Sequence, residues 1–215
     1  MIRSLLAALV ALCTLETAAR ADVPYWQARS GFLPFVRAIA VDPSDPNVVY
    51  VGASNGATYY GEFGSLTGTG VFRSTDGGYT WSERNVGLTS KIVTSLLVNP
   101  ETPNVLLAGI LGAGVFKSVN AGLSWFAVNA GLTNLAVYTM AFDPTNPSTA
   151  YVGCEHGGLF RSINGGVWTP TNSLANSTVY AMAIDAVTPS TIYVATDAGV
   201  RKSIDGGVSF VGTGP

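Results

Sequence analysis

The sequence predicts an all-β fold of about four antiparallel units, each with four strands and about 44 residues, and three observations predict it. First, a short box recurs: STDGGYTW from Ser74, SVNAGLSW from Ser118, SINGGVW from Ser162 and SIDGGVSF from Ser203, at intervals of 44, 44 and 41 residues. Second, each box follows a matched strand (GVFRS, GVFKS, GLFRS, GVRKS), and a second matched piece lies upstream (AVDPSDPNVVYVG, LVNPETPNVLLAG, AFDPTNPSTAYVG, AIDAVTPSTIYVA). Third, 25 of the 215 residues are glycine, 47% are hydrophobic and only 11% are charged. That composition suits short strands joined by tight turns, not a disordered chain. Four strands in about 40–45 residues is the period of a β-propeller blade.

The elements follow in chain order. Arg3 precedes a short apolar run from Ser4 to Leu15, and Ala19-Arg20-Ala21 has the small-x-small pattern of a cleavage site. Residues 1–21 therefore read as a signal peptide, too short an apolar run for a membrane span, and the mature chain is periplasmic or secreted. Leu12 before Cys13 is not small, which argues against a lipoprotein signal. Cleavage removes Arg3, Glu16 and Arg20 and leaves 9 basic and 12 acidic residues, a balance with no footprint for nucleic acid. Cys154 is then the one remaining cysteine, so no internal disulfide staples the fold.

Residues 22–215 read as the repeat domain, with repeats at about 36–88, 92–132, 136–175 and 179–215. Each runs as strand A, a DPxxP-type turn, strand B, a glycine hairpin, strand C, the box and strand D. A second proline three residues after the first excludes a continuing central strand. Trp26 aligns with Trp125, so residues 22–35 read as an N-terminal strand D. That strand would complete the last blade and close a four-bladed ring, with the chain a monomer; otherwise the ring is incomplete.

STDGGYTW resembles the Asp-box, or bacterial neuraminidase repeat, of the form Ser-x-Asp-x-Gly-x-Thr-Trp. Asp-boxes occur in propellers of the sialidase, xyloglucanase-type, sortilin and photosystem II assembly factor families. The resemblance implies that the box is a structural turn between strands C and D, away from the ligand. Its members here are Ser74, Asp76, Gly78 and Trp81; Ser118, Asn120, Gly122 and Trp125; Ser162, Asn164 and Trp168; Ser203, Asp205, Gly207 and Phe210. The residues point the same way. An Asp side chain accepts from backbone N–H groups downstream and fixes a turn. Asn replaces it at 120 and 164, and Asn accepts the same bond but cannot be a general base. The third box is one residue short, since Trp168 follows Ser162 by six and not seven, so its turn should differ.

Antiparallel alternation puts the B–C hairpins and D–A links on one face, and the DPxxP turns and boxes on the other. Variation gathers on the hairpin face, where binding is expected. The first hairpin is long and carries Tyr59, Tyr60, Glu62 and Phe63, suited either to a sugar or peptide or to packing on the next blade. The third carries Glu155 and His156, and the fourth Asp197 at the position of Glu155. Cys154 and His156 alone are too few ligands for a metal, and no cofactor motif is present. With the other carboxylates assigned to turns and boxes, a glycosidase pair would have to come from Glu62, Glu155 and Asp197. The sialidase resemblance also implies an Arg-Ile-Pro motif; Arg37 is followed by Ala38-Ile39. The leading reading is a non-catalytic module for a protein or carbohydrate ligand. A glycoside hydrolase, or a fragment of one, and an assembly factor like the photosystem II family are the alternatives.

Overall fold

The computed structural model describes residues 35–54 and 68–213, all within the unit Gly31–Pro215. They form four antiparallel four-stranded sheets, each in plain up-and-down order. The first holds β1 (Phe35–Asp42), β2 (Asp45–Ser54), β3 (Gly68–Ser74) and β4 (Ser82–Glu83); the second β5 (Val93–Val98), β6 (Leu106–Ile110), β7 (Gly114–Ser118) and β8 (Phe126–Ala127). The third holds β9 (Val137–Phe142), β10 (Ala150–Cys154), β11 (Gly158–Ser162) and β12 (Thr169–Pro170); the fourth β13 (Val179–Ile184), β14 (Ile192–Thr196), β15 (Gly199–Ser203) and β16 (Val211–Gly212). These are the blades of a β-propeller, stacked in chain order with β1 against β5, β5 against β9 and β9 against β13.

The core is three separate layers, one at each junction between blades. Tyr50 and Val71 meet Leu96 and Phe116 at the first; Leu107 and Val115 meet Met140 and Trp168 at the second; Tyr151 and Leu159 meet Val179 and Val194 at the third. Burial on both faces explains why β6 and β10 are buried at every position. The glycines of the second strands set the spacing. A Cβ on Gly52, Gly109 or Gly153 would come within 2.5, 2.6 or 2.7 Å of a γ-methyl of Val93, Val137 or Val179 on the next blade.

Backbone hydrogen bonds establish the two faces. Gly77 N–H donates to the Asn47 carbonyl, Ala121 to Asn104 and Gly206 to Ser190, which ties the first, second and fourth boxes to their own A–B turns. On the opposite face Leu111 N–H donates to Ile92, Glu155 to Ala136 and Asp197 to Thr178, which ties the hairpins of the second, third and fourth blades to their own D–A links.

Two expectations change, and the box tryptophans differ among themselves. The outer place of the fourth sheet is filled by β16, whose two residues pair with Arg201 and Lys202, so no N-terminal strand is needed there. Phe35 begins β1, and residues 22–34 lie outside the described residues, as does the signal segment. Pro46 lies inside β2, at its start, where the missing N–H costs no ladder bond. Trp81 is only half-buried, because no described blade precedes the first one; Trp125 and Trp168, at the same box position, are buried.

Candidate functional site

The boxes are self-contained turns. The buried Ser74 hydroxyl accepts from Gly78 N–H at 2.8 Å and donates to Asp76 Oδ1 at 2.7 Å. Asp76 Oδ1 also accepts from Thr80 N–H at 2.9 Å, and Oδ2 from the Thr80 hydroxyl at 2.6 Å. These donors hold the Asp76 carboxyl down at about 2, and the equivalent set from Ser209 and Ser203 does the same for Asp205. Such a carboxyl stays ionised through neutral pH and has no proton to give. Asn120 makes the same turn with one bond reversed: its Nδ2 donates to the Ser124 hydroxyl at 2.9 Å. The shortened third box lacks that partner, and Gly166 N–H bonds Asn164 Oδ1 instead. Beside it a groove of about 550 Å³ opens between the third and fourth boxes, lined by Arg161, Ile163, Asn164, Pro170, Gly206 and Val208. Its walls mix the aliphatic Ile163, Val167 and Val208 with the polar Ser162, Asn164, Thr169 and Thr171, and Arg161 is its single charged side chain; it holds no carboxylate and no aromatic ring.

The opposite face carries a denser arrangement. In every blade the ladder between the first two strands skips one residue of the first: Arg37, Thr94, Tyr138 and Tyr180. A bulge re-aims the side chain it carries. In blades 3 and 4 it brings two tyrosines together, with Tyr138 and Tyr180 stacked at a centroid distance of 5.8 Å and an interplanar angle of 24°. Tyr180 is exposed. The Tyr138 hydroxyl donates to Glu155 Oε1 at 2.9 Å, and Asn134 Nδ2 donates to the Glu155 carbonyl at 2.6 Å.

His156 follows in the same hairpin with φ of 44°. Glycine takes this left-handed position in the second hairpin, at Gly112, and a side chain there costs about 1–2 kcal/mol. Thr178, which leads into β13, secures it. The Thr178 hydroxyl accepts from His156 N–H at 3.1 Å and lies 3.2 Å from its Nδ1. A hydroxyl that accepts the amide proton can give its own to Nδ1, leaving Nε2 as the ring donor.

The sequence candidates separate accordingly. Glu155 and His156 join the tyrosine pair. Asp197 takes the matching hairpin position in blade 4 and is exposed. Tyr59, Tyr60, Glu62 and Phe63 lie outside the described residues. Cys154 is buried against Val137 and Phe160 in the second core layer, and burial pushes its thiol up to about 12, so it supplies neither a nucleophile nor a thiolate ligand. Tyr138 and Tyr180 were missed by sequence reasoning. The available signal was the second position of strand A, read down the repeats as Arg37, Thr94, Tyr138 and Tyr180.

No protein-family model and no curated protein matches the chain. Solved structures do. An ancestral GH74 enzyme superposes with a TM-score of 0.71 at 25% identity, over 90% of this chain and 26% of that one. The extracellular domain of a B. thetaiotaomicron hybrid two-component system superposes with a TM-score of 0.65 at 18% identity, over 87% of this chain and 23% of the other. The GH74 xyloglucanase from Xanthomonas campestris gives 0.53 at 19%, over 82% and 38%. The chain thus spans well under half the length of each of these matches, and what it shares with them is the β-propeller fold.

Proposed function

We propose that the protein is an exported, non-catalytic β-propeller module of the Asp-box type that binds a carbohydrate chain on its hairpin face. The observation that carries this reading is the stacked pair Tyr138–Tyr180, set at two successive bulges beside Glu155 and His156. An exposed phenol ring offers its face to the C–H surface of a sugar. Glu155 keeps Oε2 as an acceptor, and His156 Nε2 is a donor in the tautomer whose Nδ1 accepts from the Thr178 hydroxyl; sugar hydroxyls need both. The N-terminal Arg3, apolar run and Ala19-Arg20-Ala21 support export. The superposed proteins include a xyloglucanase and an extracellular domain, a context in which a glycan ligand is reasonable.

A glycoside hydrolase draws on the same Tyr138–Glu155 bond. Against it, the Glu155 carboxylate is hydrogen-bonded by a phenol, whereas the usual glycosidase needs a second carboxyl across the scissile bond. Calorimetric titration with cello-, xylogluco- and sialo-oligosaccharides tests the proposal. One series binds, and Tyr180→Ala weakens it by about tenfold or more, the equivalent of roughly 1.4 kcal/mol, while leaving the melting temperature unchanged because Tyr180 is exposed. Chromogenic glycoside hydrolysis that disappears in Glu155→Gln would replace the binding module with an enzyme.

A further inference from the structure

Among the described residues the two end blades of the row are each uncovered on one face, and the two faces differ. On the first blade, Ile39 is 66% exposed, whereas Leu96 and Met140, at the same position of blades 2 and 3, are buried against the preceding blade. On the fourth, Tyr193 is 39% exposed and Val200 50%. Their equivalents Tyr50, Leu107 and Tyr151, and Val71, Val115 and Leu159, are buried against the following blade. No packing comparable to that of β1 on β5 joins β13 back to β1 among the described residues. The chain therefore presents one copy of each half of the junction that it builds three times internally.

We propose that these faces take each other in a second copy of this chain. The fourth blade of one copy seats on the first blade of the other, and two such head-to-tail junctions close a pair of four-bladed rows into one ring. The contact is heterologous and must close or extend indefinitely. Two copies give eight blades, at the upper end of the roughly four to eight that propellers hold, and three copies exceed it.

The internal junctions say how the docking runs. The Tyr50 hydroxyl donates to the Ala121 carbonyl at 3.4 Å and the Tyr151 hydroxyl to the Gly206 carbonyl at 3.1 Å, each on the fourth residue of the next box. By that register Tyr193 donates to the carbonyl of Gly77 in the second copy. Lys202 already lies 5.3 Å from the Tyr193 ring centroid, as Arg73 lies 5.7 Å from that of Tyr50. One position departs. Ala195 stands where Gly52, Gly109 and Gly153 stand in the other second strands. Its methyl meets Val36 of the second copy, so this junction is looser than the internal ones.

Light scattering on the eluting protein, across micromolar concentrations, tests the proposal. The expected mass is twice that of one chain. Ile39→Asp and Val200→Asp each give monomers, and mixing the two variants restores a dimer through the single junction left intact. Tyr193→Phe weakens association and Ala195→Gly tightens it. Circular dichroism checks that each variant stays folded, as substitution at exposed positions predicts. A monomeric wild type, a dimer indifferent to both aspartates, or a mixture that stays monomeric would overturn it.

Discussion

Replacing Trp168 with alanine is expected to cost about 3–5 kcal/mol, the range for truncating a large buried aromatic. The indole fills the layer between the second and third blades, against Leu107, Val115 and Phe160. Its Nε1–H donates to the Val128 carbonyl at 2.7 Å, and its backbone N–H to the Ala130 carbonyl at 2.8 Å. Alanine keeps the second bond and loses the first along with the packing. Stacked repeats hold together through nearest-neighbour interfaces, so the loss falls on one junction. A single cooperative unfolding transition should split into two in calorimetry, as blades 1–2 part from blades 3–4. Trp81→Ala is the control. Trp81 is half-buried, with no hydrogen bond to its indole among the described residues, and its loss should cost less than half as much. Equal costs at 81 and 168 would mean that the box tryptophan acts within its own turn and not between blades.

The second large effect is expected at Gly131. Its φ is 88°, and a Cβ added there would overlap the Trp168 carbonyl oxygen. Gly131→Ala should therefore combine left-handed strain of about 1–2 kcal/mol with overpacking of about 1–3 kcal/mol. The overlapping group is backbone and cannot swing away. Gly112 separates the two contributions: its φ is 74° with nothing within 4 Å of an added Cβ, so Gly112→Ala should show the strain alone. Urea midpoints of the two variants measure the difference. Equal midpoints would show that the link from Asn129 to Leu132 does not seat the next blade.

The blade period, the strand order and the division of the chain's turns between two faces were all legible, because each rests on a pattern repeated in register. The box turns were legible too, down to the exchange of Asp for Asn at 120 and 164, since the turn needs only a side-chain oxygen that accepts from a backbone N–H downstream. What was not legible depends on neighbours. Trp81, Trp125 and Trp168 are one residue type in one motif, yet only two are buried, because burial is decided by the preceding blade. The tyrosine pair escaped for a different reason. A bulge has no residue signature here: Arg37, Thr94, Tyr138 and Tyr180 all occupy it, and strand periodicity hides the skipped residue. The left-handed backbone of His156 was likewise invisible, since glycine usually marks such a position.

The central claim is that ligand recognition belongs to the bulge-and-hairpin face and that the boxes are scaffold. Hydrogen exchange of the protein with and without its saturating oligosaccharide tests it most directly. Protection is predicted at 134–138, 155–158 and 177–181, with the four box turns unchanged. Protection concentrated at 162–168 and 204–208, around the groove beside the shortened box, would contradict it.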